Sequence, residues 1–260
     1  MTFETLQTAV DGSAFVVTLN RPDKRNAFSK QMMREIAEAC REAEADDRVR
    51  GVIVTGGTKF FSAGADLNEA MAIKSTRDGV EYMKHWERLN DTVERLDKPV
   101  IAAIEGFCVT GGFEFVLACD IRVAAQGSSF ALTSSKIGTV PGAGGTQRLP
   151  RLVGMGKALD IMFSAESIDA NEAYRCGIVE RLVPAGQALA EAKAMVKVYE
   201  KRAPLSLAYV KRAIRAGVQM DLTSGIEFER FLVTAIYGTE DKNEGIGAFL
   251  EKREASFKGR

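Results

Sequence analysis

Short apolar runs alternate with amphipathic stretches along most of the chain. The runs are typical of buried strands and occupy residues 3–10, 14–19, 52–55, 100–104, 121–125, 129–132 and 178–183. Asp11-Gly12, between the first two runs, predicts a hairpin. Apolar residues recur at helical spacing after Ser29 and over residues 82–96, 113–119 and 152–163. Beyond residue 168 the pattern is helical except for the last run. This order predicts an α/β core with a C-terminal helical appendage.

Residues 101–120 are the stretch in which chemistry is expected. A buried strand ends at residue 104, Gly111-Gly112 opens a new element, and residues 113–119 continue as an apolar helix. One acid, Glu114, interrupts that helix. It lies three residues after Gly111, about one turn from backbone N–H groups that have no partner within the helix. Backbone N–H donors and the Glu114 carboxylate are therefore predicted to lie close together in an apolar site that excludes water.

Glu114 has a structural interpretation beside the functional one. An acid in the first turn stabilises a helix through the macrodipole. A capping box would need Ser, Thr, Asp or Asn three residues earlier, and that position is Gly111. Apolar neighbours should also raise the cost of ionising Glu114, and carboxyl groups with shifted pKa values cluster at functional sites. These observations favour the functional interpretation.

Composition excludes several classes of partner. The chain has 260 residues, enough for one large core, and its 35 basic and 35 acidic side chains cancel. No net field therefore favours nucleic acid or an acidic membrane surface. The N-terminus lacks a signal-peptide pattern, and no apolar run approaches membrane-spanning length. The four cysteines form no Cys-x-x-Cys pair and are predicted to be reduced core residues. We expect a soluble, cytoplasmic protein.

The single histidine, His85, removes further mechanisms, because histidine-rich zinc sites and Ser-His-Asp triads both need this residue type. His85 lies in a charged amphipathic stretch, where a solvated helix flank accounts for it. The glycine loop at residues 56–67 lacks the ending of a phosphate-binding P-loop, and the one at residues 138–146 lacks the dinucleotide fingerprint. No metal or redox cofactor is indicated. Any catalysis must use carboxylates, hydroxyls and backbone groups.

Five segments in the same order resemble the crotonase (enoyl-CoA hydratase/isomerase) superfamily over nearly the whole chain. They are Leu19-Asn-Arg-Pro-Asp-Lys-Arg-Asn-Ala27, Phe60-Phe-Ser-Ala-Gly-Ala-Asp-Leu67, Lys98-Pro-Val-Ile-Ala-Ala103, residues 138–149 and Ala248-Phe-Leu-Glu-Lys-Arg253. The resemblance implies an α/β fold in which repeated ββα units form a spiral over residues 1–195. It also implies a C-terminal helical region, residues 196–260, that builds a homotrimer or a dimer of trimers and contributes to the CoA pocket.

The resemblance further implies an acyl-CoA thioester as substrate, with coenzyme A entering only as part of it. The two N–H groups that hold the thioester oxygen in this family fall on Ala65 and Gly111. Reactions beside a thioester build an enolate-like oxyanion, and fixed backbone donors stabilise it where it develops. Tight-turn geometry alone is the alternative explanation for Gly64 and Gly111.

Contacts with the CoA moiety are implied at three places. Residues that match the family's contacts to the nucleotide are Lys24, Arg25 and Ala27, with Ala63, Asp66 and Leu67 near the adenine and Phe249 and Lys252 on the C-terminal helix, in some relatives from a neighbouring subunit. The basic residues among them could equally be solvated surface charge.

The chain departs from the family pattern at one catalytic position. Hydratases of this family use two glutamates around one water, and the first falls on Glu114. Alignment on Phe130 and Gly138 gives the second position to Ser134, and no Asp or Glu occurs between Asp120 and Asp160. One glutamate must then serve both proton transfers or share them with a water held by Ser134. No histidine lies nearby in sequence to activate Ser134 as a nucleophile, and Lys136 is the only local base.

The sequence thus predicts an acyl-CoA lyase of the hydratase type, with Glu114 as the single catalytic carboxylate. Relatives that only shift a double bond mostly keep the carboxylate lost here, so isomerase ranks below hydratase. Thioester hydrolysis and decarboxylation on the same oxyanion hole are the first alternatives. A degenerate member that binds acyl-CoA without turnover is the second, although the retained Glu114 and glycine loops argue against it.

Overall fold

Two β-sheets and the helices around them make up residues 3–260, the part of the chain that the computed structural model describes. In chain order the elements are β1 (Leu6–Asp11), β2 (Ala14–Leu19), α1 (Lys30–Ala45), β3 (Gly51–Thr55), α2 (Leu67–Met71), α3 (Thr76–Arg95), β4 (Val100–Ile104), β5 (Phe107–Val109), α4 (Gly111–Ala118), β6 (Ile121–Ala125), β7 (Ser129–Ala131), α5 (Gly145–Val153), α6 (Met155–Ser164), β8 (Ile168–Asp169), α7 (Ala170–Arg175), β9 (Arg181–Val183), α8 (Ala188–Tyr199), α9 (Pro204–Gly217), α10 (Leu222–Ile236) and α11 (Glu240–Glu251). Short 3-10 helices occupy Pro22–Lys24 and Ser134–Ile137.

The larger sheet has the strand order β1-β2-β3-β4-β6-β9 within the described residues. The β1–β2 hairpin is antiparallel and every other pair is parallel. Each residue of β3 and β4 is buried, as expected for parallel strands that are covered on both faces. Apolar side chains of α8 pack on one face, and α1, α3 and α4 contribute to the core on the other.

A second sheet joins β5, β7 and β8. The chain passes from β4 to β5 and then into α4, and again from β6 to β7 and then towards α5, so that each ββα unit places one strand in each sheet. Isolated bridges Phe28–Ala65 and Ser62–Cys108 continue this layer into the preceding loops. The loops that carry Phe28 and Ser62 are thereby brought close to β5 and the start of α4.

Most predicted elements agree with the structure. Strands at residues 14–19, 100–104 and 121–125 occupy the predicted positions, and the hairpin turn lies at Gly12. Ser29 caps α1 by accepting a hydrogen bond from the Met32 N–H at 3.1 Å. The predicted strand at residues 178–183 is confined to β9, and strand β5 has no counterpart among the predictions.

The single helix predicted over residues 152–163 is wrong. Helix α5 begins at Gly145, and α6 follows it after a break at Gly154. Gly154 has φ 79° and ψ 160°, a conformation outside the helical region that only glycine adopts readily. The apolar periodicity runs through this position because both helices turn apolar residues inward, and periodicity does not register one unwound residue.

The C-terminal region is helical, as predicted, and carries exposed apolar side chains. Phe231 on α10 is 69% exposed and Phe249 on α11 is 83% exposed, whereas Leu232 is buried. Helix α8 spans residue 195 and packs on the large sheet, so the division into residues 1–195 and 196–260 stays a prediction, as does the homotrimer.

No helix within residues 3–260 combines the length and hydropathy needed to cross a bilayer. Cys40, Cys108 and Cys119 are buried and unpaired, and Cys176 is half-buried and unpaired.

Candidate active site

Glu114 lies in the first turn of α4, the helix whose residues are all buried, and is itself only 2% exposed. Its Oε1 atom accepts hydrogen bonds from the N–H groups of Ala143 at 2.8 Å and Gly145 at 2.9 Å, both on the second glycine loop. No residue in the described range 3–260 donates to Oε2. One carboxylate oxygen is therefore fixed by the fold, and the other is available to a bound molecule.

The surroundings of Glu114 favour a carboxyl group that can both accept and donate a proton near neutrality. Burial raises its pKa, while the hydrogen bonds from Gly145 and Ala143 and the positive charge of Arg148 lower it; the net effect is a pKa of about 7. Such a value suits general acid–base work at physiological pH.

Two backbone N–H groups lie beside this carboxyl group, on Ala65 and Gly111. Within the described part of the chain neither donates a hydrogen bond. Gly64 has φ +103°, and a Cβ built on it would lie 3.0 Å from Val109 O and 3.4 Å from Gly111 N. A Cβ on Gly111 would lie 3.2 Å from Ala65 N. Absence of both side chains thus lets two unpaired donors approach each other closely, as an oxyanion site requires.

Thr110 joins the start of α4 to the segment that carries Ser134. It has φ 44° and ψ −112°, a rare conformation for a β-branched residue. Its N–H donates to Ala131 O at 2.7 Å, and its Oγ1 atom lies 2.8 Å from Thr133 Oγ1. Ser134, the next residue, is 2% exposed and its hydroxyl has no partner among residues 3–260. The predicted second catalytic position is therefore a buried serine with an unpaired hydroxyl, tied through Thr133 to the turn before Glu114.

The segments predicted to meet the CoA nucleotide are adjacent in the structure. Ala63 donates its N–H to Arg25 O at 2.9 Å, and Phe28 donates to Gly64 O at 2.7 Å. Lys24 and Arg25 are exposed, and their side chains form no ion pair or hydrogen bond within the described residues. Ala27 is half-buried on the same turn. Two free cationic groups therefore border the loop that carries Ala63 and Ala65.

Asp66 is engaged by the protein itself. Its carboxylate caps α2 through Asn68 N–H at 3.0 Å and pairs with Arg21 at 2.9 Å. Burial raises the pKa of Asp66, but these two partners outweigh it and hold the pKa below its ordinary value. Its backbone N–H donates to Phe28 O, and its carbonyl accepts from Ala70. Ala63 O and the N–H of the exposed Leu67 have no such partners within residues 3–260.

Phe249 and Lys252 are not brought to the site within one chain. Both are exposed on or just after α11, and within residues 3–260 no hydrogen bond or ion pair joins either side chain to the loops that carry Lys24 or Ala63. His85 forms no hydrogen bond with these residues and lines a polar cleft of about 380 Å³ between the start of α1, α2 and α3. Within residues 3–260, no cluster of His, Cys, Asp and Glu side chains could hold a metal ion.

Comparisons with known proteins agree with this geometry. The family model for enoyl-CoA hydratase/isomerase matches residues 10–260. The chain belongs to the enoyl-CoA hydratase/isomerase family. It is 36% identical over 259 residues to a probable enoyl-CoA hydratase of Mycobacterium bovis, covering 99% of each chain. It is 38% identical over 252 residues to a short-chain-enoyl-CoA hydratase of Clostridium acetobutylicum, covering 96% of each.

The crystal structure of an enoyl-CoA hydratase from Bacillus anthracis superimposes with a TM-score of 0.93 at 34% identity, covering 99% of this chain and 100% of that one. The crotonase-like α/β fold predicted from the sequence is therefore confirmed. The protein is an enzyme of the enoyl-CoA hydratase family.

Several residues around the candidate site of this family member were missed by the sequence predictions. Trp86 on α3 stacks on Phe28, with ring centroids 5.4 Å apart, and a Cβ on Gly111 would lie 2.7 Å from its ring. Asn90, one turn further along α3, and Arg148 on α5 both bind the carbonyl of Ala143. The sequence pattern could have indicated Asn90, because it is a polar residue on the buried stripe of Tyr82, Trp86, Leu89 and Val93. No comparable sequence feature indicated Arg148.

Proposed function

We propose that the protein adds water reversibly to a 2-enoyl-CoA thioester, with Glu114 as its only catalytic carboxylate. The supporting observation is that the two carboxylate oxygens of Glu114 differ: within residues 3–260, Oε1 accepts hydrogen bonds from two backbone N–H groups and Oε2 accepts none. The unpaired N–H groups of Ala65 and Gly111 are the proposed donors to the thioester oxygen. A carboxylate and an oxyanion site are the two parts that chemistry beside a thioester requires.

The reaction runs through an enolate. Water attacks Cβ while Oε2 of ionised Glu114 takes one of its protons, and the electrons of the double bond move to the thioester oxygen. The N–H groups of Ala65 and Gly111 stabilise the resulting oxyanion. Glu114, now neutral, returns the proton to Cα, and the carbonyl re-forms. A carboxyl group with a pKa of about 7 is suited to both transfers.

Ser134 is assigned a supporting role. Ser134 is a buried residue whose hydroxyl has no partner within residues 3–260, and the resemblance assigns it the position of the family's second glutamate. A hydroxyl can both donate and accept a hydrogen bond, so it can orient the attacking water without taking its proton. Because Glu114 alone carries out both proton transfers, turnover should be slower than that of a two-glutamate hydratase.

The CoA moiety is placed along the loops next to the oxyanion site. Lys24 and Arg25 supply unpaired positive charge for its phosphates, and Ala27 lies on the same turn. Ala63 O and Leu67 N–H offer an acceptor and a donor for the adenine edge, whereas the polar groups of Asp66 are already occupied. Phe249 and Lys252 reach this ligand only if another copy of the chain presents its α11, as the predicted homotrimer or dimer of trimers would allow.

Hydration of crotonyl-CoA tests the proposal, followed by the loss of enoyl-thioester absorbance. Glu114→Gln should lose about 10²–10⁴-fold in turnover while CoA still binds. Glu105→Gln is the matched control, because Glu105 is also buried and also accepts two backbone hydrogen bonds, from Gly186 and Ala188, at the start of α8. Full turnover in Glu114→Gln would remove Glu114 from the mechanism.

A second candidate function is favoured by the same missing carboxylate. Loss of CO₂ from a malonyl-type thioester forms the enolate directly and needs no base at Cβ, and hydrolysis of the thioester needs less of a two-glutamate arrangement. Malonyl-type thioesters should therefore be assayed if crotonyl-CoA is bound but unchanged. Binding without product over such a panel would instead indicate a member that has lost catalysis.

A further inference from the structure

The backbone of Ala143 is held on both sides of its Cα atom. Its N–H donates to Glu114 Oε1 at 2.8 Å. Its carbonyl oxygen accepts from Asn90 Nδ2 at 2.8 Å and from Arg148 Nη1 at 3.0 Å. The residue whose N–H orients Glu114 is thus itself fixed at its carbonyl by two side chains from different helices, α3 and α5.

Asn90 makes this contact at a cost. It is 4% exposed, and its Oδ1 atom is buried without a hydrogen-bond partner within the described residues. A buried, unsatisfied polar atom opposes folding, and such atoms are infrequent in native proteins. A leucine would fill the same buried stripe of α3 without that cost. Within residues 3–260 the only hydrogen bond that the side chain of Asn90 makes is the one to Ala143 O, so this contact is what the residue contributes.

Arg148 is fixed in turn. Its Nε and Nη2 atoms donate to the two carboxylate oxygens of Glu94 at 2.8 Å each, a two-pronged pairing with defined geometry. Glu94 Oε1 also accepts from Arg215 Nη1 at 3.0 Å, and Arg215 Nη2 donates to Ala118 O, the last residue of α4, at 2.6 Å. The network therefore connects the glycine loop that orients Glu114 to the far end of the helix that carries it.

We propose that Asn90 and Arg148, the latter held by Glu94, are positioning residues that fix the backbone of Ala143 so that Glu114 directs Oε2 at the reacting atoms. This inference rests on the proposed function wherever turnover is the readout. The orientation of Glu114 is a property of the free protein and can be measured without it.

The charges around Glu114 set the direction of the expected effect. Arg148 of α5 is the cation whose field favours ionised Glu114. Glu94 of α3 and Arg215 of α9 lie behind it, and Arg215 also pairs with Asp120 after α4, which Lys211 shares. Loss of the Ala143 hydrogen bond or of the Arg148 charge removes a group that stabilises the carboxylate. The pKa of Glu114 should then rise, and a step that needs ionised Glu114 should begin at higher pH.

The test uses Asn90→Leu, Arg148→Met and Arg148→Lys, with Arg151→Met as control. Arg151 lies on the same helix, is exposed, and bonds only to Gln147. In the first two variants, kcat for crotonyl-CoA should fall about 10- to 100-fold, because small displacements of a reacting group are costly. The acid limb of their pH–rate profiles should move to higher pH, and the Kd for CoA should not change. Arg148→Lys should keep the acid limb at its wild-type pH, since the positive charge remains. It should not reach the full wild-type rate, since lysine cannot make the two-pronged pairing with Glu94 and also bind Ala143 O.

A second readout separates this proposal from the proposed function. The carboxyl stretch of Glu114, isolated as the infrared difference between each protein and its Glu114→Gln counterpart, reports protonation directly. A rise in midpoint pH for Asn90→Leu and Arg148→Met upholds the positioning role, even if wild type hydrates no thioester. Unchanged midpoints in variants that melt like wild type would overturn it, even if wild type is an active hydratase. Should Arg148→Met not fold, the midpoint of Asn90→Leu decides the matter, and Arg148→Lys, which keeps the charge, should retain the wild-type midpoint.

Discussion

Two buried glutamates in this protein differ in how their oxygens are satisfied. Glu35 on α1 is 5% exposed, and both oxygens are occupied: Oε1 accepts from Glu4 N–H and Gln31 Nε2, and Oε2 accepts from the N–H and hydroxyl of Thr5. Burial raises the pKa of Glu35, but these hydrogen bonds outweigh it, so the pKa is lowered. Glu114 is equally buried, yet only Oε1 is occupied, and its pKa is raised to about 7.

The contrast separates a carboxylate that holds the fold together from one that is kept available. Every lone-pair direction that the fold satisfies stabilises the ionised form and removes an opportunity to bind a ligand. Glu35 joins the N-terminal strand to α1 and needs no further partner. Glu114 is oriented through one oxygen and left free at the other, which costs stability and makes proton transfer near pH 7 feasible. Incomplete satisfaction, more than burial, is what distinguishes the candidate site.

Apart from Glu114→Gln itself, the largest effect is expected where the close approach of the Ala65 and Gly111 N–H groups is disturbed. In Gly111→Ala the new methyl group would lie 2.7 Å from the Trp86 ring and 3.2 Å from Ala65 N. Displacement of one oxyanion donor should reduce kcat about 10²–10³-fold. Gly156→Ala on α6 is the control, because nothing lies within 4 Å of a Cβ there. Crotonyl-CoA turnover at matched protein concentration measures both; equal activities would argue against a donor at Gly111.

Stability should depend on pH with opposite sign at the two glutamates. The folded pKa of Glu114 exceeds its ordinary value of 4.5, so ionisation opposes folding once the pH rises from about 4.5 to about 7. Glu114→Gln should therefore be more stable than wild type at pH 8, by up to about 3 kcal/mol, and close to it at pH 4.5. Urea unfolding at fixed protein concentration measures the difference. A variant less stable than wild type at pH 8 would contradict the raised pKa.

Glu35→Gln should behave in the reverse manner. Its lowered folded pKa stabilises the protein above 4.5, and that contribution is lost as the pH falls through the folded pKa. The amide cannot accept all four hydrogen bonds, so the variant should lose about 1–3 kcal/mol at pH 7. Its kcat with crotonyl-CoA should stay at the wild-type value. A large loss of kcat in a folded Glu35→Gln protein would weaken the distinction drawn between the two glutamates.

The smallest effect is expected at the exposed cations beside the site. Lys24→Ala should raise the Kd for CoA about two- to fivefold at low ionic strength and less at high salt, because exposed charges are screened. Lys197→Ala on α8 is the control, since Lys197 is also exposed and unpaired within the described residues. Calorimetric titration with CoA compares the two. Identical Kd values would leave Lys24 as ordinary surface charge.

Sequence patterns were sufficient to predict the strands and the helix that carry the candidate site. Apolar runs predicted the parallel strands, and the acid in the apolar run after Gly111-Gly112 indicated Glu114, because local periodicity and glycine positions can be read without knowledge of the fold. The resemblance supplied the roles of Ala65 and Gly111, which no spacing rule gives. Break points such as Gly154 were missed, because one residue of positive φ leaves the apolar pattern intact.

The residues around Glu114 were harder to predict, since they act across long sequence separations. Asn90 meets Ala143 across a sequence separation of 53 residues, and Trp86 meets Gly111 only after α3 and α4 have packed. Asp66 shows the opposite difficulty. The family motif marks it as a ligand contact, but here its polar groups are taken up by Arg21, Asn68, Phe28 and Ala70. Only the folded chain shows which donors and acceptors remain unpaired.

The pH dependence of kcat/KM for crotonyl-CoA hydration, from about pH 5 to pH 9, tests the one-carboxylate mechanism most directly. If Glu114 alone takes and returns the proton, kcat/KM should rise through a single ionisation near 7 and then stay level. A second catalytic carboxyl group held protonated would add a descending limb at higher pH. A bell-shaped profile in wild type, or a level one without any ionisation near 7, would contradict the account.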